Sequence, residues 1–227
     1  MKNTFPLGII KGYDMENKKA FIFDLDGTLV DSMPVWAKAM LNILDSQNIS
    51  YPDDFILTIA TMGGKACAEY FRSHFGITYT VEEMFKLNAE YCLPRYRNEI
   101  MLKDGVKTFL ERIKKEGHSL NVLTASPHVN LDPCLKRNGV YELFDNLWST
   151  DDFNLTKTDV RIYDKVIELL GVNPHDAYFF DDNINALTTA KNAGLNTIGV
   201  FDKSSENLTE QIKAIADKYI YSFNELL

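Results

Sequence analysis

Four short apolar runs rich in β-branched or aromatic residues constrain the fold of this chain most: AFIFDLD (residues 20–26), LNVLTAS (120–126), DAYFFDD (176–182) and NTIGVF (196–201). From the second run onward they alternate with helix-like stretches, the pattern of a parallel sheet covered on both faces by helices. A weaker run, ELFDNLWS (142–149), predicts a further short strand. The fold class expected is therefore α/β, a Rossmann-like parallel sheet flanked by helices. In such sheets ligands bind outside the carboxyl ends of the strands, so Asp24, Thr124 and Asp182 are expected to meet on one rim.

About ninety residues separate the first two runs, too many for a plain strand–helix–strand crossover. VWAKAMLNILDSQ, ACAEYFRSHFG and VEEMFKLNAEYCLPRYRNE carry apolar residues three and four apart, as helices do. One reading is a long decorated crossover. The preferred one is a helical cap inserted at residues 33–101, entered near Pro34 and left near Asp104-Gly105, with a catalytic core of residues 19–32 and 102–227. Residues 1–18 form an extension that is a tail, an added strand through LGII, or a matter of where the chain starts.

Asp24 and Asp26, one residue apart at the end of the first run, point to the same side of an extended chain. Two ionised carboxylates so placed repel unless a cation lies near. Asp181 and Asp182 end another run, and four carboxylates on one rim suit a hard cation such as Mg²⁺, which takes oxygen ligands. The bland reading of Asp181-Asp182 alone is a helix cap or solvated turn; joined to Asp24 and Asp26, the metal reading overtakes it. Thr124, followed by Ala125-Ser126-Pro127, offers a hydroxyl and backbone N–H groups near a helix start, and Lys157 in LTKTDVRIYDKVIELLG brings one positive charge; together they make a candidate phosphate site.

FDLDGTLVDS, LTAS, Lys157 in KTDVRIY and FFDDNINALTTAKNAGL resemble, in order and spacing, the four motifs of the haloacid dehalogenase-like hydrolases, with the inserted region in the place of that family's helical cap. The subgroup it resembles contains phosphoglycolate phosphatases, β-phosphoglucomutases and related sugar-phosphate and nucleotide phosphatases. The resemblance implies that Asp24 attacks phosphorus to form an aspartyl-phosphate, and that Asp26 protonates the leaving alkoxide and offers its backbone carbonyl to Mg²⁺. It further implies that Thr124, Ala125 and Lys157 bind the phosphoryl oxygens, and that Asp182, with Asp181, completes the metal shell. Dehalogenases of the family lack an acid at the position of Asp26, so its presence favours phosphoryl transfer. The chain departs from the pattern at Thr158, where Pro is common, at Asp181, where Glu or Gly stands, and at Asn183, where Ser is usual.

The turn TMGGK, with Gly64 and Lys65, is the candidate cap loop for substrate choice, against a plain turn before a helix. Tyr70, Phe71, Phe75, Tyr91 and Tyr96 read as cap core, Asp31 as a cap or hinge residue, and His74, His118, His128 and His175 receive no catalytic role. The expected substrate is a small phosphorylated metabolite; a phosphomutase and a non-catalytic binding protein on the same fold are the alternatives. A net charge of −8 with acid and base interspersed argues against nucleic acid or anionic lipid as partner. Cys67, Cys92 and Cys134 show no metal or disulfide spacing, and the first residues carry no signal-peptide pattern, so a cytoplasmic location is expected. Monomer and dimer both stay open.

Overall fold

The structure, a computed structural model, describes residues 18–60, 62 and 64–227. The LGII strand, and Thr61 and Gly63 of the TMGGK turn, lie outside the described residues.

Six strands form one parallel sheet: β1 (Ala20–Phe23), β2 (Ser119–Thr124), β3 (Asn146–Ser149), β4 (Ala177–Asp181), β5 (Asn196–Val200) and β6 (Lys218–Ile220), in the order β3–β2–β1–β4–β5–β6. All the expected runs are strands, including the weak one; β6, short and half polar, is the strand that the sequence reading did not propose. Side chains alternate between two buried faces, as a doubly covered strand requires. Phe23, Val122 and Phe180 pack beneath α5 (Val106–Lys115) and α6 (His128–Arg137). Ile22, Leu123 and Phe179 pack beneath α8 (Val160–Leu170), α9 (Ile184–Asn192) and α10 (Thr209–Ile215), with the short α7 (Thr150–Phe153) following β3.

The register sets the rim. Phe23 stands level with Val122 on one side and Phe180 on the other. The next residue, Asp24, donates its N–H to the Phe180 carbonyl (2.9 Å) and so emerges level with Asp181.

Four helices fill the long segment after β1: α1 (Met33–Ser46), α2 (Phe55–Ala60), α3 (Gly64–Phe75) and α4 (Val81–Asn98). Leu41, Leu44, Phe55, Phe71 and Met84 form an apolar cluster separate from the two beneath the sheet. α4 starts at a capping box, in which Thr80 accepts from the Glu83 N–H and Glu83 accepts from the Thr80 N–H. Its far end belongs elsewhere: Cys92, Tyr96 and the following Ile100 pack with the sheet-side cluster, as does Ala39 of α1. The linkers into and out of the segment are tied together, Asp31 N–H to the Met101 carbonyl (3.0 Å) and Lys103 N–H to the Leu29 carbonyl (2.9 Å). No helix among the described residues is long and apolar enough to cross a membrane.

Candidate active site

Asp24, Asp181 and Asp182 converge at the ends of β1 and β4, with one carboxylate oxygen of each within 4.8 Å of the others. All three are buried, Asp181 completely. Lys157 Nζ donates to Asp24 Oδ1 and to Asp181 Oδ2, both at 2.7 Å, and the Asn183 N–H donates to Asp181 Oδ1 (2.7 Å). One ammonium thus faces three carboxylates. Burial, opposed by the attraction of Lys157 and reinforced by repulsion from Asp181, pushes the Asp24 carboxyl up to about 7. Burial and then repulsion from Asp181 and Asp24 raise Asp182 likewise. Burial works against the charge on Lys157, but Asp181 and Asp24 outweigh it and raise the ammonium above its ordinary value. The surplus negative charge, in an oxygen-only donor set closed off from water, fits a divalent hard cation.

The turn after Asp24 is built for this crowding. Gly27 has φ +77°, in the left-handed region, and a Cβ there would lie 2.8 Å from Asp182 Oδ2. Both the backbone conformation and the approach of Asp182 exclude a side chain. Lys103, on the return linker, fastens the same turn: its Nζ donates to the Gly27 carbonyl (2.7 Å), the Phe201 carbonyl (2.5 Å) and Asp202 Oδ2 (3.1 Å). Sequence reasoning passed over Lys103, because a lone lysine in a linker, followed by Asp104-Gly105, carries no distinguishing pattern.

Asp26 leaves the cluster. Leu25 between the two aspartates is fully buried, and the Asp26 carboxylate turns to three hydroxyls. Ser32 donates to Oδ1 (2.6 Å), Ser126 to Oδ2 (2.5 Å), and Tyr96 of α4 also to Oδ1. The Tyr96 oxygen in turn accepts from Trp36 Nε1 (2.7 Å). Tyr96, expected in cap core, is therefore a partner of the site, and the sequence signal for it is weak: an aromatic at helical spacing is ordinarily packing. Ser126, read only as part of the phosphate loop, is a second missed partner.

Thr124 ends β2, fully buried, and its Oγ1 accepts from the Ser126 N–H (3.1 Å), leaving its own O–H to donate. Ala125 is exposed at the rim beside it. The loop bearing Lys157 is fixed by Tyr163, whose hydroxyl lies 3.0 Å from the Lys157 carbonyl and 3.1 Å from that of Ala186. Gly64 opens α3, where a Cβ would lie 3.3 Å from the Phe85 ring, and Lys65 is exposed; neither is among the residues gathered around the carboxylates. Of the histidines, His128 stands nearest in sequence to the phosphate loop, and it is engaged with Asp132 and Asp152.

The family model described as haloacid dehalogenase-like hydrolase matches residues 21–200. The chain belongs to that family. Among curated relatives, the validoxylamine A 7'-phosphate phosphatase of Streptomyces hygroscopicus subsp. limoneus is 27% identical over 183 residues, 80% of this chain and 85% of the relative. The phosphoglycolate phosphatase of Colwellia psychrerythraea is 28% identical over 224 residues, covering 94% and 97%. Among solved structures, CbbY from Rhodobacter sphaeroides in complex with phosphate superposes with a TM-score of 0.77 at 25% identity, covering 92% of this chain and 96% of that one. Within this hydrolase family the buried carboxylates, Lys157 and Thr124 stand on the motifs that carried the resemblance.

Proposed function

We propose that this hydrolase is a magnesium-dependent phosphatase of small phosphorylated metabolites, of the sugar-phosphate, phosphoglycolate or nucleotide type, working through an aspartyl-phosphate on Asp24. The observation that carries the reading is the buried group of Asp24, Asp181 and Asp182 sharing one lysine, with a fourth carboxylate, Asp26, held apart from it by hydroxyl donors. The enzyme class, phosphoric monoester hydrolase, agrees with the matched family and the phosphatase names of its relatives.

The side chains of Asp24, Asp181 and Asp182 and the carbonyl of Asp26 would hold Mg²⁺, which supplies charge neutralisation and polarises the phosphoryl group. An Asp24 carboxylate oxygen attacks phosphorus, and the P–O bond to the substrate breaks as the new bond forms. Asp26 gives its proton to the departing alkoxide; in the second half it takes a proton from the water that attacks the Asp24-bound phosphoryl group, restoring both residues. Lys157, Thr124 and the backbone at Ala125 bind the equatorial oxygens, where charge accumulates. Residues 33–101 act as the cap over the rim, hinged at the paired linkers, with Gly64 and Lys65 at its candidate specificity loop. The three cysteines, Cys67, Cys92 and Cys134, are buried and unpaired, which is compatible with the expected cytoplasmic setting.

The test is phosphate release from p-nitrophenyl phosphate and from a panel of phosphorylated metabolites, with Mg²⁺ or with chelator, for the native chain and Asp24→Asn. Activity that needs Mg²⁺ and is lost in the variant supports the reading. Full activity with chelator, or in Asp24→Asn, overturns it.

A further inference from the structure

The geometry points to Tyr96 as a positioning residue for Asp26: helices α1 and α4 of the inserted segment, through Trp36 and Tyr96, set the carboxylate that protonates the leaving group. This inference rests on the proposed role of Asp26 and goes beyond it by assigning that role a support outside the four motifs.

Three observations carry it. Tyr96 is fully buried, yet its hydroxyl is not idle: it donates to Asp26 Oδ1 and accepts from Trp36 Nε1 at 2.7 Å. An indole N–H is a donor only, so Trp36 occupies the acceptor side of the phenol and leaves its single proton for Asp26. The indole and phenol rings meet edge to face, with centroids 6.4 Å apart and planes at 68°, which fixes both rings.

Both carboxylate oxygens are held, Oδ1 by Ser32 and Tyr96 and Oδ2 by Ser126, so the rotation of Asp26 about its last bond is fixed. Ser32 and Ser126 lie on the loops that follow β1 and β2. Tyr96 alone comes from a helix of the inserted segment, seventy residues along the chain. Its placement is anchored from below, because Cys92, Tyr96 and Ile100 belong to the sheet-side cluster with Leu131 and Cys134 of α6. A catalytic group a fraction of an ångström out of place loses much of its effect.

The consequence is selective for leaving groups. Delocalised p-nitrophenolate departs without a proton, phenolate benefits from one, and an alkoxide requires one. The quantity to measure is kcat/KM, which reports the steps up to departure of the leaving group, for p-nitrophenyl phosphate, phenyl phosphate and glycerol 2-phosphate. Asp26→Asn tests the underlying reading: it lowers kcat/KM for glycerol 2-phosphate about 10²–10⁴-fold more than for p-nitrophenyl phosphate. Tyr96→Phe is expected to lower the same ratio at least about tenfold, roughly 1.4 kcal/mol of transition-state stabilisation, with phenyl phosphate between. Trp36→Phe, which frees the phenol to turn, lowers it in the same order by a smaller factor, and it carries the test if Tyr96→Phe does not fold.

Equal losses on all three substrates in the folded Tyr96 and Trp36 variants, while Asp26→Asn stays selective, overturn the positioning role and leave Tyr96 as packing. Absence of selectivity in Asp26→Asn itself overturns the acid role of Asp26, and the inference falls with it.

Discussion

Stripped of divalent cations, the protein is expected to lose stability as pH rises from about 5 to 7.5. The folded Asp24 carboxyl is pushed to about 7, from an ordinary value of 3.8. Between those values the folded state holds a proton that the unfolded chain has released, so stability falls as pH rises and the loss is complete above the folded value. Asp182 is raised in the same sense. For Asp24 the full effect between the unfolded and folded values is on the order of 4 kcal/mol, of which about 2.5 kcal/mol is lost between about pH 5 and 7.5; at about 2–4 °C per kcal/mol for a domain of this size the melting temperature drops by roughly 5–10 °C over that range. Mg²⁺ competes with protons for the same oxygens, so its stabilisation is larger at pH 7.5 than at pH 5. At a hundred times its dissociation constant it adds about 2.7 kcal/mol. Thermal melts by circular dichroism across this range, with EDTA or with Mg²⁺, make the comparison. His128, raised by its bonds to Asp152 and Asp132, also loses stabilisation as pH rises; the difference between the native chain and Asp24→Asn isolates the rim. An EDTA slope unchanged in Asp24→Asn, or a Mg²⁺ increment equal at both ends of the range, would refute the electrostatic account.

Three substitutions test the surroundings of the rim. Gly27→Ala places a methyl 2.8 Å from Asp182 Oδ2 at φ +77°; left-handed strain of about 1–2 kcal/mol plus displacement of Asp182 should show as a lower Tm and weaker Mg²⁺ binding by calorimetry, and a native-like value of both would contradict the crowding. Lys157→Met removes the one ammonium bonded to Asp24 and Asp181, and about 3–5 kcal/mol of destabilisation is expected in EDTA at pH 7.5, less where the carboxyls are protonated at pH 5; chemical denaturation at the two pH values reads it. Lys103→Met strands Asp202, whose side chain is 5% exposed, and loosens the Gly27 carbonyl; a loss of similar size with reduced kcat is expected, and a drop under about 1 kcal/mol would show that the clamp is dispensable.

The sheet was legible because each of its four main strands is a short, largely apolar run rich in β-branched or aromatic residues and mostly buried on both faces, and such runs announce themselves without knowledge of their neighbours. β6 was not: Lys218, Tyr219 and Ile220 make an edge strand of three residues, defined by pairing with β5 rather than by composition. Asp24, Asp181 and Asp182 were legible for a related reason, since a strand end fixes where its next residue goes, and parallel register brings strand ends level. Partners supplied across the fold were hidden. Tyr96 lies on a helix whose start packs in one cluster and whose end packs in another. Its apolar spacing is the same whichever it serves, so nothing local distinguishes a phenol that touches Asp26 from one that fills space. Lys103 is the same case on a linker, its three acceptors drawn from two turns about 75 and 100 residues away.

That two aspartates one residue apart do different work follows from what lies between and after them. The strand ends at Phe23, Leu25 is drawn into the core, and the turn at Gly27 closes on the Val30 carbonyl (3.0 Å). Asp24 is left in the buried acidic group beside an ammonium, while Asp26 is carried to the hydroxyl donors Ser32, Tyr96 and Ser126. A nucleophile must be ionised and aimed, which suits a lysine and the room for a cation. A proton carrier must be held at a fixed place and orientation, which the hydroxyls of Ser32, Tyr96 and Ser126 provide by bonding both oxygens of Asp26. The separation therefore comes from the turn and not from the spacing of the motif. A change that unwinds the turn, even one remote from both carboxylates such as Lys103→Met, should damage nucleophilic attack by Asp24 and proton transfer by Asp26 together, whereas Tyr96→Phe should damage the proton transfers alone.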